Sequence, residues 1–266
     1  MKKALLAVSM TALGFVLAAC GGSNDAFVVG LECNYAPYNW TTSDASGQPI
    51  DGVDAYCDGY DIQVAEELAA GLGRDLIVRK IDWDGLIPAL TSGTIDAIIA
   101  GMSPTAERAE VVLFSDPYFR SEQVLVVQTD SSYADATSLA DFAGADVIAQ
   151  LGTLQNDLIL QIPDVNRLDP LNDYPSLVAQ VVSGIADAII AELPVATSIT
   201  ASNPDLTIVQ LGSNGFTLND SDVTTSVALR LEETELHAEI NAILAGISDE
   251  MRNQMMTDAL ENQPSS

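Results

Sequence analysis

Trp83-Asp84-Gly85-Leu86-Ile87-Pro88-Ala89-Leu90-Thr91-Ser92-Gly93-Thr94-Ile95-Asp96-Ala97-Ile98-Ile99-Ala100 recurs 91 residues further on. The second copy is Tyr174-Pro175-Ser176-Leu177-Val178-Ala179-Gln180-Val181-Val182-Ser183-Gly184-Ile185-Ala186-Asp187-Ala188-Ile189-Ile190-Ala191. An aromatic residue, a Leu, a β-branched residue, an apolar residue, Ser-Gly and then Asp-Ala-Ile-Ile-Ala fall in register. Each copy predicts a helix closed by a glycine, Gly93 or Gly184, where the backbone turns left-handed. Each then enters a short, fully apolar run suited to a buried parallel strand. Two helix–glycine–strand units with the same ending imply equivalent elements in two similar α/β lobes.

The flanking sequence extends this pattern. Strands are predicted at 27–31, 76–81, 124–128, 146–150, 207–211 and 223–229. Helices are predicted at 60–72, where Ile62, Ala65, Leu68, Ala69 and Leu72 share a face, at 154–161, and at 233–246 through Leu236, Ile240, Ile243 and Leu244. Strands alternating with helices imply mainly parallel sheets. Extended crossings near 120–126 and 220–227 would join the lobes and leave a cleft between them.

The chain starts with Lys2 and Lys3, then an apolar run of about sixteen residues from Ala4 to Ala19. That is short of the roughly 20 needed to span a bilayer as a helix. A basic start, a short apolar stretch and small residues before a cleavage point read as a signal peptide over 1–19. The site Leu17-Ala18-Ala19-Cys20 resembles the bacterial lipobox, in which the cysteine is lipidated and becomes the new N-terminus. Residues 20–26 would then form a lipidated tether. An ordinary secretory signal with an incidental Cys20 is the alternative.

Loss of the leader removes two lysines and no acids, leaving eight basic against 38 acidic residues, a net charge of −30. So acidic a chain is repelled by phosphate backbones, which argues against nucleic acid as a partner. The acids are dispersed and read as a solvated surface. Lys80 is the one lysine after the leader, which suits a salty habitat. With 48% hydrophobic residues the chain can bury one large core or two lobes of about 120 residues each. Cys33 and Cys57 remain once Cys20 is acylated. Outside the cytoplasm an even pair favours a disulfide, here stapling the polar loop 41–58; two free buried thiols are the alternative.

In open α/β sheets ligands bind beyond the carboxyl ends of strands. The two repeat strands end at Gly101 and Glu192. After Gly101 come Met102, Ser103 and Pro104, and Ser103 as N-cap with Pro104 at the first helical position predicts a helix start. Its free N–H groups would suit a carboxylate, and Arg108, just over a turn on, could add a bidentate contact. In the second lobe Gln150 ends a predicted strand, and Gly152-Thr153 precede a helix. Glu192 could hold an ammonium group. A surface ion pair of Arg108 with Glu107 or Glu110 and a solvated Glu192 are the plain alternatives.

At these residues the sequence resembles the family 3 solute-binding proteins, receptors for polar amino acids in ABC importers. The resemblance runs through Val29-Gly30-Leu31-Glu32-Cys33-Asn34-Tyr35-Ala36-Pro37-Tyr38-Asn39-Trp40 and Gly59-Tyr60-Asp61-Ile62-Gln63-Val64-Ala65. It continues through Asp96-Ala97-Ile98, Ser103, Arg108 and Phe114-Ser115-Asp116-Pro117-Tyr118. Gln63 stands where the family usually has an acid, and Leu154 where relatives often have a threonine. The resemblance implies a two-lobed, periplasmic-binding-protein-like fold of type II with two hinge crossings. Its lobes would be 27–122 plus 225–266, and 123–224.

By the same resemblance Gly101, Met102 and Ser103 meet the ligand's amine and carboxylate, Arg108 grips the carboxylate with Thr153, and Glu192 binds the amine. Tyr35, Tyr38 and Trp83 form aromatic walls, Glu32 reads the ligand side chain, and Gln150 is a further ligand-binding residue. For Trp83 and Tyr38 a core role is the alternative. Glu32 could pair with a basic side chain, accept from an amide or brace Tyr35. The implied function is an extracytoplasmic lipoprotein that captures a free L-amino acid, polar or cationic, by cleft closure. It would act as a monomer and deliver its ligand to a membrane permease without cofactor or metal. An enzyme of related fold, such as a dehydratase of small carboxylates, is the first competitor. The one histidine, His237, lies in the amphipathic helix 233–246 among charged neighbours, and no Ser–His–acid or metal-ligand spacing is present. A ligand-sensing module is the second.

Overall fold

A computed structural model describes residues 26–264, so the leader, Cys20 and most of the tether lie outside the described residues. The two repeat copies fold alike. Trp83–Thr91 and Tyr174–Val182 are nine-residue helices, followed by Gly93 at φ 75° and Gly184 at φ 71°. The repeated aspartates then do the same work. Asp96 accepts from Val28 N–H at 3.0 Å and donates its own N–H to the Val28 carbonyl at 2.7 Å. Asp187 makes the same two bonds to Asp146, each at 2.8 Å. A carboxylate at this point ties each repeat strand to its parallel neighbour before the ladder begins.

Those ladders build two five-stranded sheets. The first runs Leu76–Lys80, Phe27–Leu31, Ala97–Ile98, Thr224–Leu229, Leu113–Arg120. The second runs Asn166–Arg167, Asp146–Ile148, Ala188–Glu192, Gln123–Gln128, Leu206–Val209. In each, the first three strands are parallel, the fourth runs antiparallel to them and the fifth antiparallel to the fourth, so four of five strands share one direction and one runs against it. The cause is the crossings. Gln123–Gln128 enters the second sheet from the first, Thr224–Leu229 returns, and both lie antiparallel to a repeat strand.

The crossings run side by side. Ser121 N–H donates to the Val223 carbonyl at 2.8 Å, and Gln123 Nε2 donates to the Asp222 carbonyl at 3.3 Å. Leu86 and Leu90 cover the first sheet and Leu177 and Val181 the second, all fully buried.

Several elements depart from the sequence reading. A four-stranded sheet of Asn34–Tyr35, Asn39–Thr42, Tyr56–Asp58 and Gln48–Pro49 extends the first lobe. Cys33 and Cys57 are joined in a disulfide beside it, with Cα atoms 5.7 Å apart. Helices Leu193–Ser202 and Asp249–Asn262 were not foreseen. The predicted helix 154–161 splits into an α-helix, Leu154–Leu158, and a 3-10 turn, Ile159–Gln161. No helix begins at Ser103-Pro104: the chain stays irregular until a three-residue 3-10 turn, Arg108–Glu110. There the Ser103 carbonyl accepts from Thr105 N–H at 2.9 Å and from Arg108 Nη1 at 2.9 Å, which closes a tight loop instead of a helical turn. Among the described residues no helix is long and apolar enough to cross a membrane.

Candidate functional site

Between the sheets lies a small, tightly closed cavity lined by Tyr35, Trp83, Gly101, Ser103, Arg108, Gln150, Thr153, Leu154, Gln155 and Glu192. Eight of these are the residues that the sequence placed at strand ends and motifs.

Arg108 reaches the cavity from the loop after the first repeat strand. Its Nη1 donates to Ser103 O, and its Nη2 donates across the cleft to the Gly152 carbonyl at 3.2 Å. Its guanidinium lies 5.0 Å above the Trp83 ring centre, a cation–π arrangement. Trp83 Nε1 donates to the same Gly152 carbonyl at 3.0 Å. Burial lowers the guanidinium to about 10, which leaves it charged at neutrality. No ion pair forms with Glu107 or Glu110 among the described residues. Two donors are held in place, and the rest of the fork can meet a carboxylate.

Glu192 ends the second repeat strand and is only 4% exposed. The Tyr35 hydroxyl donates to its carboxylate from the opposite lobe. Burial pushes the Glu192 carboxyl up to about 8. Glu32, 6% exposed, accepts from Gln150 Nε2 at 2.8 Å, again across the cleft. Burial and then the nearby Asp173 and Asp82 push it up to about 8, against the lowering effect of the Gln150 amide. Two buried carboxylates therefore face this cleft with one guanidinium.

Three expected residues sit differently. Tyr38 is fully buried behind Tyr35, their rings stacked at 5.4 Å, so it supports the wall without lining the cavity. Met102 is buried too, and its carbonyl accepts from Ser226 N–H at 3.0 Å. Glu32 stands behind the lining and acts on it through Gln150. The Thr153 hydroxyl is engaged with the Gln150 carbonyl at 2.7 Å and with Asn156 N–H as a helix cap. What it can offer a carboxylate is its backbone N–H. Gly101, at φ 61°, gives its N–H to the Tyr118 hydroxyl, which leaves its carbonyl for an ammonium.

Two contributors were missed. Tyr174, the first residue of the second repeat helix, packs at 4.8 Å on Tyr35. Gln155 lines the cavity and donates to Gln123 Oε1 at 3.1 Å, linking the cleft to a crossing strand. Nothing in the local sequence marks that long-range pair. His237 stands away from the cleft and is half-buried, with Nε2 2.9 Å from the Phe114 carbonyl. Among the described residues no group of three or more His, Cys, Asp or Glu could hold a metal ion.

A profile of the bacterial extracellular solute-binding proteins, family 3, matches residues 27–258. The chain belongs to that family. It is 30% identical over 261 residues to the arginine-binding extracellular protein ArtP of Bacillus subtilis, covering 94% of each chain. A probable histidine-binding protein of Campylobacter jejuni is 31% identical over 218 residues, covering 77% of this chain and 80% of that one. Among solved structures, a Streptococcus pneumoniae amino-acid ABC transporter substrate-binding protein bound to L-arginine superposes with a TM-score of 0.77. It is 28% identical, covering 89% of this chain and 94% of that one. The two-lobed type II fold of this family 3 protein is therefore shared with amino-acid receptors.

Proposed function

We propose that this family 3 protein captures a cationic L-amino acid between its lobes and delivers it to an ABC importer. The observation that carries this reading is the charge count of the cleft. Arg108 supplies one positive charge, and Glu192 and Glu32 supply two buried carboxyls that hold protons near neutrality in the free protein and ionise against a cation. A neutral zwitterion brings a cation to only one of the two carboxyls, and ionising the other without a partner is costly. An amino acid with a cationic side chain balances all three. Its carboxylate would sit on Arg108 and the Thr153 backbone. Its ammonium would meet Glu192 and the Gly101 carbonyl, and its side chain would run over Trp83 and Tyr35 toward Glu32 and Gln150. The arginine- and histidine-binding relatives point to the same ligand class.

Residues 27–122 with 225–266, and 123–224, are the units that close on each other, hinged at the paired crossings around Ser121 and Val223. We place the protein outside the cytoplasm, tethered as a monomer by a lipid on Cys20. Binding without turnover fits a cavity whose lining has no histidine or cysteine. The test is calorimetric titration of residues 21–266 with L-arginine, L-lysine, L-histidine and L-glutamine. Saturable binding of a cationic amino acid that is lost in Arg108→Ala supports the reading, and no binding of any of the four removes it.

A further inference from the structure

Two motifs singled out in the sequence, Gly59-Tyr60-Asp61 and Phe114-Ser115-Asp116-Pro117-Tyr118, contribute nothing to the cavity lining, yet they meet directly behind it. Asp61 is 0% exposed. Its Oδ1 accepts from the Tyr118 hydroxyl at 2.7 Å and its Oδ2 from Asn39 Nδ2 at 2.8 Å. The Tyr118 oxygen in turn accepts from Gly101 N–H at 3.0 Å. Asp61 N–H donates to the Tyr38 carbonyl at 2.8 Å, and Tyr60 N–H to the Pro37 carbonyl at 3.0 Å. The Tyr60 hydroxyl holds the Tyr118 carbonyl at 2.8 Å. One carboxylate thus ties down both the Gly101–Ser103 loop and the Tyr35–Asn39 turn, from opposite sides of the first lobe's ligand face.

We propose that Asp61 is a positioning residue for ligand binding, acting through the Tyr118 hydroxyl on Gly101 and through Asn39 on the Tyr35 turn. The inference rests on the amino-acid-binding reading of the cleft. A buried carboxylate without a cation is expensive unless donors surround it, and here one donor, Asn39, ends the Tyr35 turn and the other, Tyr118, holds the Gly101 amide. The chain from Gly101 N–H through Tyr118 to Asp61 is polarised in one direction, so each bond strengthens the next. It commits the Gly101 amide inward and turns its carbonyl to the ligand. Gly101 accepts this because its left-handed backbone needs no side chain, and a Cβ there would lie 3.0 Å from the Tyr35 ring. The groups facing Asp61 are the hydroxyls of Tyr38, Tyr60 and Tyr118 and the Asn39 amide; burial raises the three tyrosines, so all stay neutral. Burial also raises Asp61 to about 6, so it remains mostly an anionic acceptor at neutrality.

The experiment screens the wild-type protein against the twenty common L-amino acids and carries the tightest binder to the variants. Tyr118→Phe keeps the ring and deletes the linking hydroxyl. It is expected to weaken binding about tenfold while the unliganded protein stays folded, because the Gly101 amide and Asp61 each lose a buried partner. Asp61→Asn is expected to weaken binding at least as much, since its amide confronts that of Asn39. The swap Asp61→Asn with Asn39→Asp restores a donor facing an acceptor and should recover affinity, which a general loss of packing would not do. Tyr118→Phe binding as tightly as wild type overturns the proposal, as does a swap no better than Asp61→Asn alone. Should Tyr118→Phe fail to fold, the single and swapped variants at Asp61 decide it. A wild type that binds none of the twenty refutes the functional reading itself, a separate outcome.

Discussion

Gln150 reaches across the cleft to Glu32, its Nε2 donating to Oε1 at 2.8 Å, and shares the same amide with the Asn172 carbonyl at 2.8 Å. Glu32 thereby becomes a fixed acceptor just behind the cavity lining at Gln150. Replacing it by Gln keeps the shape and removes the charge. Glu32→Gln is expected to reduce the preference for arginine over glutamine by roughly tenfold or more, about 1.4 kcal/mol. Competition calorimetry with the two ligands measures this. An unchanged ratio would remove Glu32 from side-chain selection.

Binding should release protons. Glu32 and Glu192 have carboxyls near 8 in the folded protein against an ordinary 4.5. Between those values the folded chain holds protons that the unfolded chain has lost. These groups therefore make the ligand-free protein less stable as pH rises from about 4.5 to about 8, by up to about 1.4 kcal/mol per pH unit for each, with no further loss above. A cationic ligand favours the charged carboxylates and lowers both values. Calorimetry at pH 7 in buffers of different ionisation heat should show between one and two protons released. A binding heat independent of buffer would contradict this.

Arg108 cannot be exchanged for another cation. Its fork is held at Ser103 and Gly152 and stacked on Trp83. Lysine keeps the charge but loses the planar, multiply bonded geometry. Arg108→Ala is expected to cost at least about 2 kcal/mol of binding free energy, and Arg108→Lys to recover less than half of it. Equal affinities for wild type and Arg108→Lys would show that charge alone suffices.

The fold was legible because the repeat spelled it out: two helices, two left-handed glycines and two aspartates in register. The strand-end rule then led to Gly101, Arg108 and Glu192. Helix Asp249–Asn262 left no signal, since only Met256 and Ala259 on it are buried and the stripe is too thin to show a period. At Ser103-Pro104 local capping chemistry lost to a tertiary demand, the bond of Arg108 to the Ser103 carbonyl. Tyr174 reaches the site only through Tyr35, and the bond of Gln155 to Gln123 joins residues distant in sequence, which local pattern does not reveal.

The Cys33–Cys57 bridge closes a loop with a sequence separation of 24. Loop-closure entropy gives it about 3.5 kcal/mol of stability. The double variant Cys33→Ser with Cys57→Ser should lose on the order of that amount in denaturant unfolding, and wild type under reductant should follow it. A loss below about 1 kcal/mol would mean that the small sheet holds this loop without the bridge.

The most direct test of the central claim is a thermal-shift screen of residues 21–266 against the twenty common L-amino acids. A ligand at about 100 times its dissociation constant adds roughly 2.7 kcal/mol to folding stability, enough for a clear rise in melting temperature. The charge count of the cleft predicts that arginine, lysine or histidine gives the largest rise and that Arg108→Ala abolishes it. No rise with any of the twenty, or a rise confined to acidic or apolar amino acids, would contradict it.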